Sequence, residues 1–181
     1  MSSASDPSDR ARSQPESQAP RQVAVPGIIL DFLERATVAV AGTRDRQLVP
    51  RLHRISGWKV EADGRTMTCF VARGFTSGLA GALEDNGQLA VTIEEVGPHE
   101  TYQFKGRYLS SRPLSDEDRA LCREIKERFV KVVSTKFGLP EEACRAFSPG
   151  PELAVSFELG EIYLQTPGPG AGRRLVPPER G

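Results

Sequence analysis

Short segments of alternating or continuous apolar residues, separated by turn residues, make up the first part of the chain and predict β-strands. The segments ATVAVAGTR, LVPRLHRISGWKV and TMTCFV follow one another, and QLAVTIEEV and TYQFKGRYL come later. Asp63-Gly64 is a tight-turn pair between the second and third segments, and Gly97-Pro98 lies between the last two. We therefore expect two antiparallel hairpins.

Helical patterns lie at the start of the chain, in its middle and after the strands. The predicted helices begin after Pro26, at Ser77, at Ser115 and at Pro140. The third is the longest, because Ser115 and Asp118 form a capping-box pattern and an apolar stripe follows as far as Gly138. ELAVSFELGEIYLQ adds one or two strands. The prediction is a mainly β fold with flanking helices, in which six antiparallel strands close into a barrel and leave no exposed edge.

Composition divides the chain into a central domain and two polar ends. Residues 1–22 are rich in Ser, Pro and charged residues with little to bury, which predicts a disordered tail. Residues 167–181 are rich in Pro and Gly and are predicted as a flexible C-terminal tail. The remaining span, 23–166, is long enough for one domain with a sizeable core.

Charge and cysteine content restrict the function classes. The chain has 24 Lys and Arg against 24 Asp and Glu, so no overall field attracts nucleic acid or an anionic membrane. No apolar run is long enough for a membrane span, and three cysteines without a CxxC pair fit a reducing cytoplasm. His53 and His99 are the only histidines, and no metal site is predicted.

The loop between TMTCFV and the second helix, RGFTSG, has the features of an anion site. Backbone N–H groups at a helix N-terminus, beside the hydroxyls of Thr76 and Ser77 and the cation of Arg73, suit a phosphate. The alternative is that Thr76 or Ser77 merely caps the helix. Arg51 and Arg54 add positive charge from the preceding strand, but alternation places them on opposite faces, so only one should reach the same site as Arg73.

The predicted order of helices and strands resembles that of the FMN-binding split-barrel family related to pyridoxamine 5'-phosphate oxidase. The most specific parts of the resemblance are the segments SGLAGALEDNGQLAV and TYQFKG. The resemblance implies a six-stranded antiparallel split β-barrel over 23–166, and a homodimer with two equivalent flavin sites at the subunit interface. Ala72 and Arg73 match the strand-end pair that meets the flavin, and Ser77 matches the Ser of a Ser-Arg-Lys motif. Gly78 and Leu79 stand where the family has its phosphate-binding Arg and Lys.

Two function classes follow from these observations. The first is an FMN-binding oxidoreductase with unknown substrate, in which Gln103 and Lys105 line the flavin ring. The predicted cofactor ligands are Arg51, Arg54, Ala72, Arg73, Thr76, Ser77, Gln103 and Lys105. The alternative is a non-enzymatic split-barrel dimer that binds haem, a deazaflavin, a small anion or no cofactor. The missing Arg-Lys pair favours this alternative, and His53 or His99 would be the axial ligand of a haem.

Overall fold

The structure, a computed structural model, describes residues 23–175. Within this range the chain forms four helices and six strands. Their bounds are α1 Gly27–Arg35, β1 Val38–Arg44, β2 Pro50–Val60, β3 Thr66–Ala72, α2 Leu79–Asn86, β4 Gln88–Glu95, β5 Glu100–Arg112, α3 Asp116–Phe137, α4 Glu141–Phe147 and β6 Pro151–Leu164. The predicted disordered tail, 1–22, lies outside the described residues.

The six strands form a closed barrel in the order β1-β2-β3-β6-β5-β4, and every neighbouring pair is antiparallel. β1 closes it by pairing with both β2 and β4, so that Ala41 lies opposite His53 on one side and Val91 on the other. The predicted six-stranded antiparallel split barrel with peripheral helices is confirmed. The segment that the sequence divided into one or two strands is the single strand β6.

The barrel interior is a continuous hydrophobic core. Its largest fully buried strand side chains include Phe104 and Phe157. Phe70 is equally buried but packs against α3 with Cys122. Helix α1 adds Phe32, whose ring meets that of Tyr102 edge to face with centroids 4.7 Å apart. Burying side chains of this size is the main source of the free energy of folding.

Helix α3 packs on the outer side of β2 because residue 57 has no side chain. A β-carbon at Gly57 would lie 2.9 Å from Cys122 Sγ, so glycine lets the helix approach the strand closely. The predicted capping box is present, since Asp118 N donates to Ser115 Oγ and the carboxylate of Asp118 accepts from Ser115 N. A second apolar cluster joins α3 to α4 through Phe129 and Cys144.

The segment predicted as a flexible C-terminal tail, 167–181, is described only as far as Leu175. Residues 167–175 turn back along β6, where Leu164 N donates to the carbonyl of Arg173 and Leu175 N to that of Ile162, both at 2.9 Å. None of the helices between residues 23 and 175 combines the length and the apolar character needed to cross a membrane.

Candidate functional site

The loop of residues 73–78 joins the end of β3 to helix α2 and lies against the start of β6. Arg73 N donates to the carbonyl of Gly150 at 2.8 Å. Gly74 N and Thr76 Oγ1 lie 3.2 Å and 3.4 Å from one carboxylate oxygen of Glu152. A protein carboxylate therefore occupies the Thr76 hydroxyl that the sequence assigned to a phosphate, and its negative charge would repel a phosphate there.

Helix α2 begins two residues later than predicted. It starts at Leu79, and its N-cap is Gly78 in the left-handed conformation, with φ of 71° and no side-chain capping bond. Ser77 is exposed. The alternative interpretation, in which Thr76 or Ser77 caps the helix, is therefore wrong.

Arg51 is the cation nearest to the start of α2. A β-carbon at Gly78 would lie 2.8 Å from Arg51 Nε, so the guanidinium lies directly against the glycine. Arg51 Nη2 is also 3.8 Å from Asp45 Oδ2, at the limit of an ion pair. The structure thus places an arginine from β2 beside the position where the resembling family carries one in the helix.

His53 holds the loop against the barrel. It is 1 % exposed, with Nδ1 2.7 Å from the carbonyl oxygen of Phe75 and Nε2 2.8 Å from Thr43 Oγ1. The carbonyl can only accept, so Nδ1 carries a proton. Neither nitrogen can bind a haem iron without losing one of these bonds. The other candidate, His99, is bonded to Glu94 through Nδ1 at 2.7 Å.

Arg54 lies on the opposite face of β2 from Arg51, as the alternation predicted. Its guanidinium stacks over the Phe147 ring, with Cζ 4.1 Å from the centroid. Burial lowers the pKa of Arg54. No carboxylate pairs with it within the described part of the chain. Half-buried arginines normally have a partner, so Arg54 is the predicted residue best placed to receive an anion.

Arg54 lines a groove of about 250 Å³ between the outer face of β2 and helix α3. The loop that precedes β6 closes one end of the groove through residues 148–151. Three cations of α3 also line it, namely Arg119, Arg123 and Lys126. None of the three is among the ligands predicted from the sequence, although their spacing of four and three residues places them on one helix face.

Gln103 and Lys105 lie on β5, which is not adjacent to β2 in the barrel and does not border this groove. They occupy the outer face of β5, which pairs with β4 and β6 and not with β2 or β3. Gln103 Nε2 donates to Thr92 Oγ1 at 3.1 Å, and Lys105 Nζ lies 4.5 Å from the centroid of the Tyr163 ring. The predicted ligands therefore form three separate groups in one chain: Arg51 with the loop of residues 73–78, Arg54 in the groove, and Gln103 with Lys105 on β5.

The three cysteines are all buried. Burial raises the pKa of the Cys69 and Cys122 thiols to about 12, so neither is a thiolate near neutral pH. Cys144 is buried in the cluster between α3 and α4. Among residues 23–175, no group of three or more His, Cys, Asp or Glu side chains is arranged to hold a metal ion.

Comparison with known proteins finds similarity at the level of structure. No protein-family model matches the sequence, and no curated protein does either. One similar solved structure is HupZ from group A Streptococcus, at 14% identity and a TM-score of 0.49, covering 82% of this chain and 99% of that one.

Two further structures carry descriptions of what they bind. A pyridoxamine 5'-phosphate oxidase-related, FMN-binding protein from Nostoc punctiforme has 12% identity and a TM-score of 0.44, covering 80% of this chain and 85% of that one. HutZ, the haem storage protein of Vibrio cholerae, has 11% identity and a TM-score of 0.42, covering 78% and 95%. The matches thus include the family that the sequence resembles. At these values the likeness assigns neither a cofactor nor an activity to this chain.

Proposed function

We propose that this split-barrel protein binds FMN and serves as a flavin-dependent oxidoreductase with its phosphate site at Arg54. The observation that carries the proposal is the half-buried guanidinium of Arg54, which faces a groove and has no carboxylate partner among the described residues. Arg54 lies on β2, beside the end of β3. This position agrees with the resemblance, because Ala72 and Arg73 at the end of β3 match the residues that meet the flavin in the resembling family.

The residues around Arg54 fit one end of FMN. Gly150 lines the same groove and carries a backbone N–H, whereas residues 149 and 151 are prolines and the Ser56 hydroxyl donates to the carbonyl of Pro149. A volume of about 250 Å³ is below the roughly 300 Å³ at which pockets for drug-sized ligands begin. The groove therefore receives the phosphate end, and the flavin ring extends outside it. Bound FMN would supply the hydride or electron transfer, and the chain would hold and orient it.

The ring contacts require a second copy of the chain. Gln103 and Lys105 lie on another face of the barrel from Arg54, so one protomer does not bring them to the same ligand. In a homodimer, the β5 face of one protomer meets the ligand that the other holds at β2 and β3. We expect a dimer in sedimentation at micromolar concentration, and a stable monomer would contradict the interface site.

The test compares FMN with riboflavin, which has the same ring and no phosphate. Arg54→Gln is expected to weaken FMN binding by roughly ten- to a hundredfold, the usual effect of losing a charge-assisted contact, and to leave riboflavin affinity unchanged. Lys131→Gln is the control, because Lys131 is an exposed α3 cation outside the groove. Fluorescence quenching measures both ligands. Equal FMN affinities for the two variants would overturn the phosphate assignment.

A second candidate function is a barrel that binds a small anion without redox chemistry. Glu152 favours the absence of FMN, because its carboxylate occupies the loop where the resembling family holds the FMN phosphate, and the groove at Arg54 remains open to another anion. The visible spectrum of the purified protein separates the candidates. Flavin bands support the first, a Soret band would indicate haem, and a spectrum without either favours the second.

A further inference from the structure

The groove between β2 and α3 combines an apolar base with a cationic rim. Ile55 contributes to its barrel side, and Ile125 and Phe129 contribute to its helix side. Cations border it on both sides, with Arg54 on the strand and three side chains on α3. No Asp or Glu is among its lining residues.

Three acidic residues of α3 pair with cations outside the groove. Asp118 pairs with Arg112 and Lys59, Glu124 pairs with Arg128, and Glu127 pairs with Arg145. Over residues 23–175, the side chains of Arg119 and Arg123 have neither an ion pair nor a hydrogen bond. Lys126 is fixed at the groove by donating to the carbonyl of Ser148 at 3.0 Å.

Gathering like charges around one cavity costs free energy unless an anion enters it. Arg119 and Arg123 are four residues apart, a spacing at which like charges destabilise a helix. Arg54 adds a half-buried charge that has lost part of its hydration. A dianion in the groove would offset both costs, and the apolar base would favour an organic body over a bare inorganic ion.

We propose that this groove binds the phosphomonoester group of an organic ligand, and that Arg119, Arg123 and Lys126 of α3 replace the Arg-Lys pair absent at residues 78 and 79. The α2 start disfavours that pair, since a side chain at residue 78 would meet Arg51 and need a left-handed backbone, and Leu79 is buried in the core. The identification of the ligand as FMN rests on the proposed function. The phosphate site on α3 does not.

The experiment uses phenyl phosphate, with phenol and inorganic phosphate as probes that each lack one half of it. Calorimetry on the full chain at low salt should show that phenyl phosphate binds more tightly than either probe. Arg123→Gln is expected to weaken it about tenfold, the effect of one charge-assisted contact. Arg123→Lys keeps the charge and should retain part of the affinity, and Lys131→Gln should match the wild type. Arg123 and Lys131 are exposed, so neither change is expected to affect folding.

The outcomes separate this inference from the proposal of FMN binding. If phenyl phosphate binding depends on Arg123 but FMN does not bind, the phosphate site stands and the flavin proposal fails. If FMN binds through Arg54 and Arg123→Gln leaves both FMN and phenyl phosphate unaffected, the α3 site is wrong and the flavin proposal stands. Failure of phenyl phosphate to bind at about 1 mM would also overturn the α3 site.

Discussion

The guanidinium of Arg51 lies against Gly78, the residue that immediately precedes helix α2. A β-carbon at residue 78 would be 2.8 Å from Nε and 2.9 Å from Cζ of Arg51, and the backbone there has φ of 71°. Both the space and the conformation therefore favour glycine. This explains why the chain departs from the Arg of the resembling family at this position.

We predict that Gly78→Ala lowers the free energy of unfolding by about 1–2 kcal/mol, the cost of a left-handed backbone for a residue with a β-carbon. Displacement of the flexible end of Arg51 adds a smaller cost. Urea unfolding followed by circular dichroism measures the change.

Gly74→Ala is the matched control for this prediction. Gly74 has φ of 81° and nothing within 4 Å of its would-be β-carbon, so it reports backbone strain alone. The excess cost of Gly78→Ala over Gly74→Ala should disappear when Arg51 is also changed to Ala. An excess that persists without the arginine would show that Arg51 is not its cause.

The barrel could be predicted from sequence because its signals are local. Asp63-Gly64 marks a hairpin without knowledge of the rest of the fold, and Ser115 with Asp118 marks a helix start in the same way. The continuity of β6 could not be predicted, because Gly160 falls inside it and resembles an interruption. Its length is set by pairing with β3 along one part and with β5 along another.

The site was less predictable because its contacts join distant parts of the chain. Arg119 and Arg123 look like an ordinary solvated helix surface until Gly57 brings α3 onto β2. Glu152 meets Thr76 across 76 residues of sequence, and no local pattern indicates that contact. The sequence offers His53 as an axial haem ligand, but this side chain is buried and holds the loop.

Gly106 lies where β5 and β6 approach too closely for a side chain. A β-carbon there would overlap the carbonyl oxygen of Glu158 and lie 2.8 Å from Phe157 Cδ2, next to a register shift between the two strands. We predict that Gly106→Ala lowers the free energy of unfolding by about 3 kcal/mol, because backbone atoms must move to relieve the overlap. Thermal unfolding should show a correspondingly lower Tm.

Gly81→Ala provides the comparison for Gly106. Gly81 lies inside helix α2 with no atom within 4 Å of its would-be β-carbon, so alanine should stabilise the protein by about 0.5–1 kcal/mol. Opposite signs for the two changes are expected. A neutral Gly106→Ala would mean that β5 and β6 are farther apart than the structure places them.

Asp118 joins the start of α3 to the end of β5. The residue is 2 % exposed, Oδ2 accepts from Arg112 Nη1 at 2.5 Å and from Ser115 N at 2.9 Å, and Lys59 Nζ lies 3.5 Å from Oδ1. The hydrogen bond from Arg112, followed by those from Ser115, holds the pKa of this carboxyl well below its usual range. Folding therefore favours the ionised form of Asp118.

A carboxyl whose pKa is lowered by folding stabilises the protein above its ordinary pKa, about 4, and this contribution is lost as the pH falls toward the lower folded value. We predict that Asp118→Asn lowers the free energy of unfolding at pH 7 by about 2 kcal/mol and makes it less dependent on pH below about 4. Asp116 is exposed and lies in the same helix turn. Asp116→Asn should therefore lower the free energy of unfolding by at most about 1 kcal/mol and leave its dependence on pH as in the wild type. Urea unfolding across this pH range measures both changes. If the free energy of unfolding of Asp118→Asn falls with decreasing pH as steeply as that of the wild type, Asp118 is not the group whose protonation destabilises the fold.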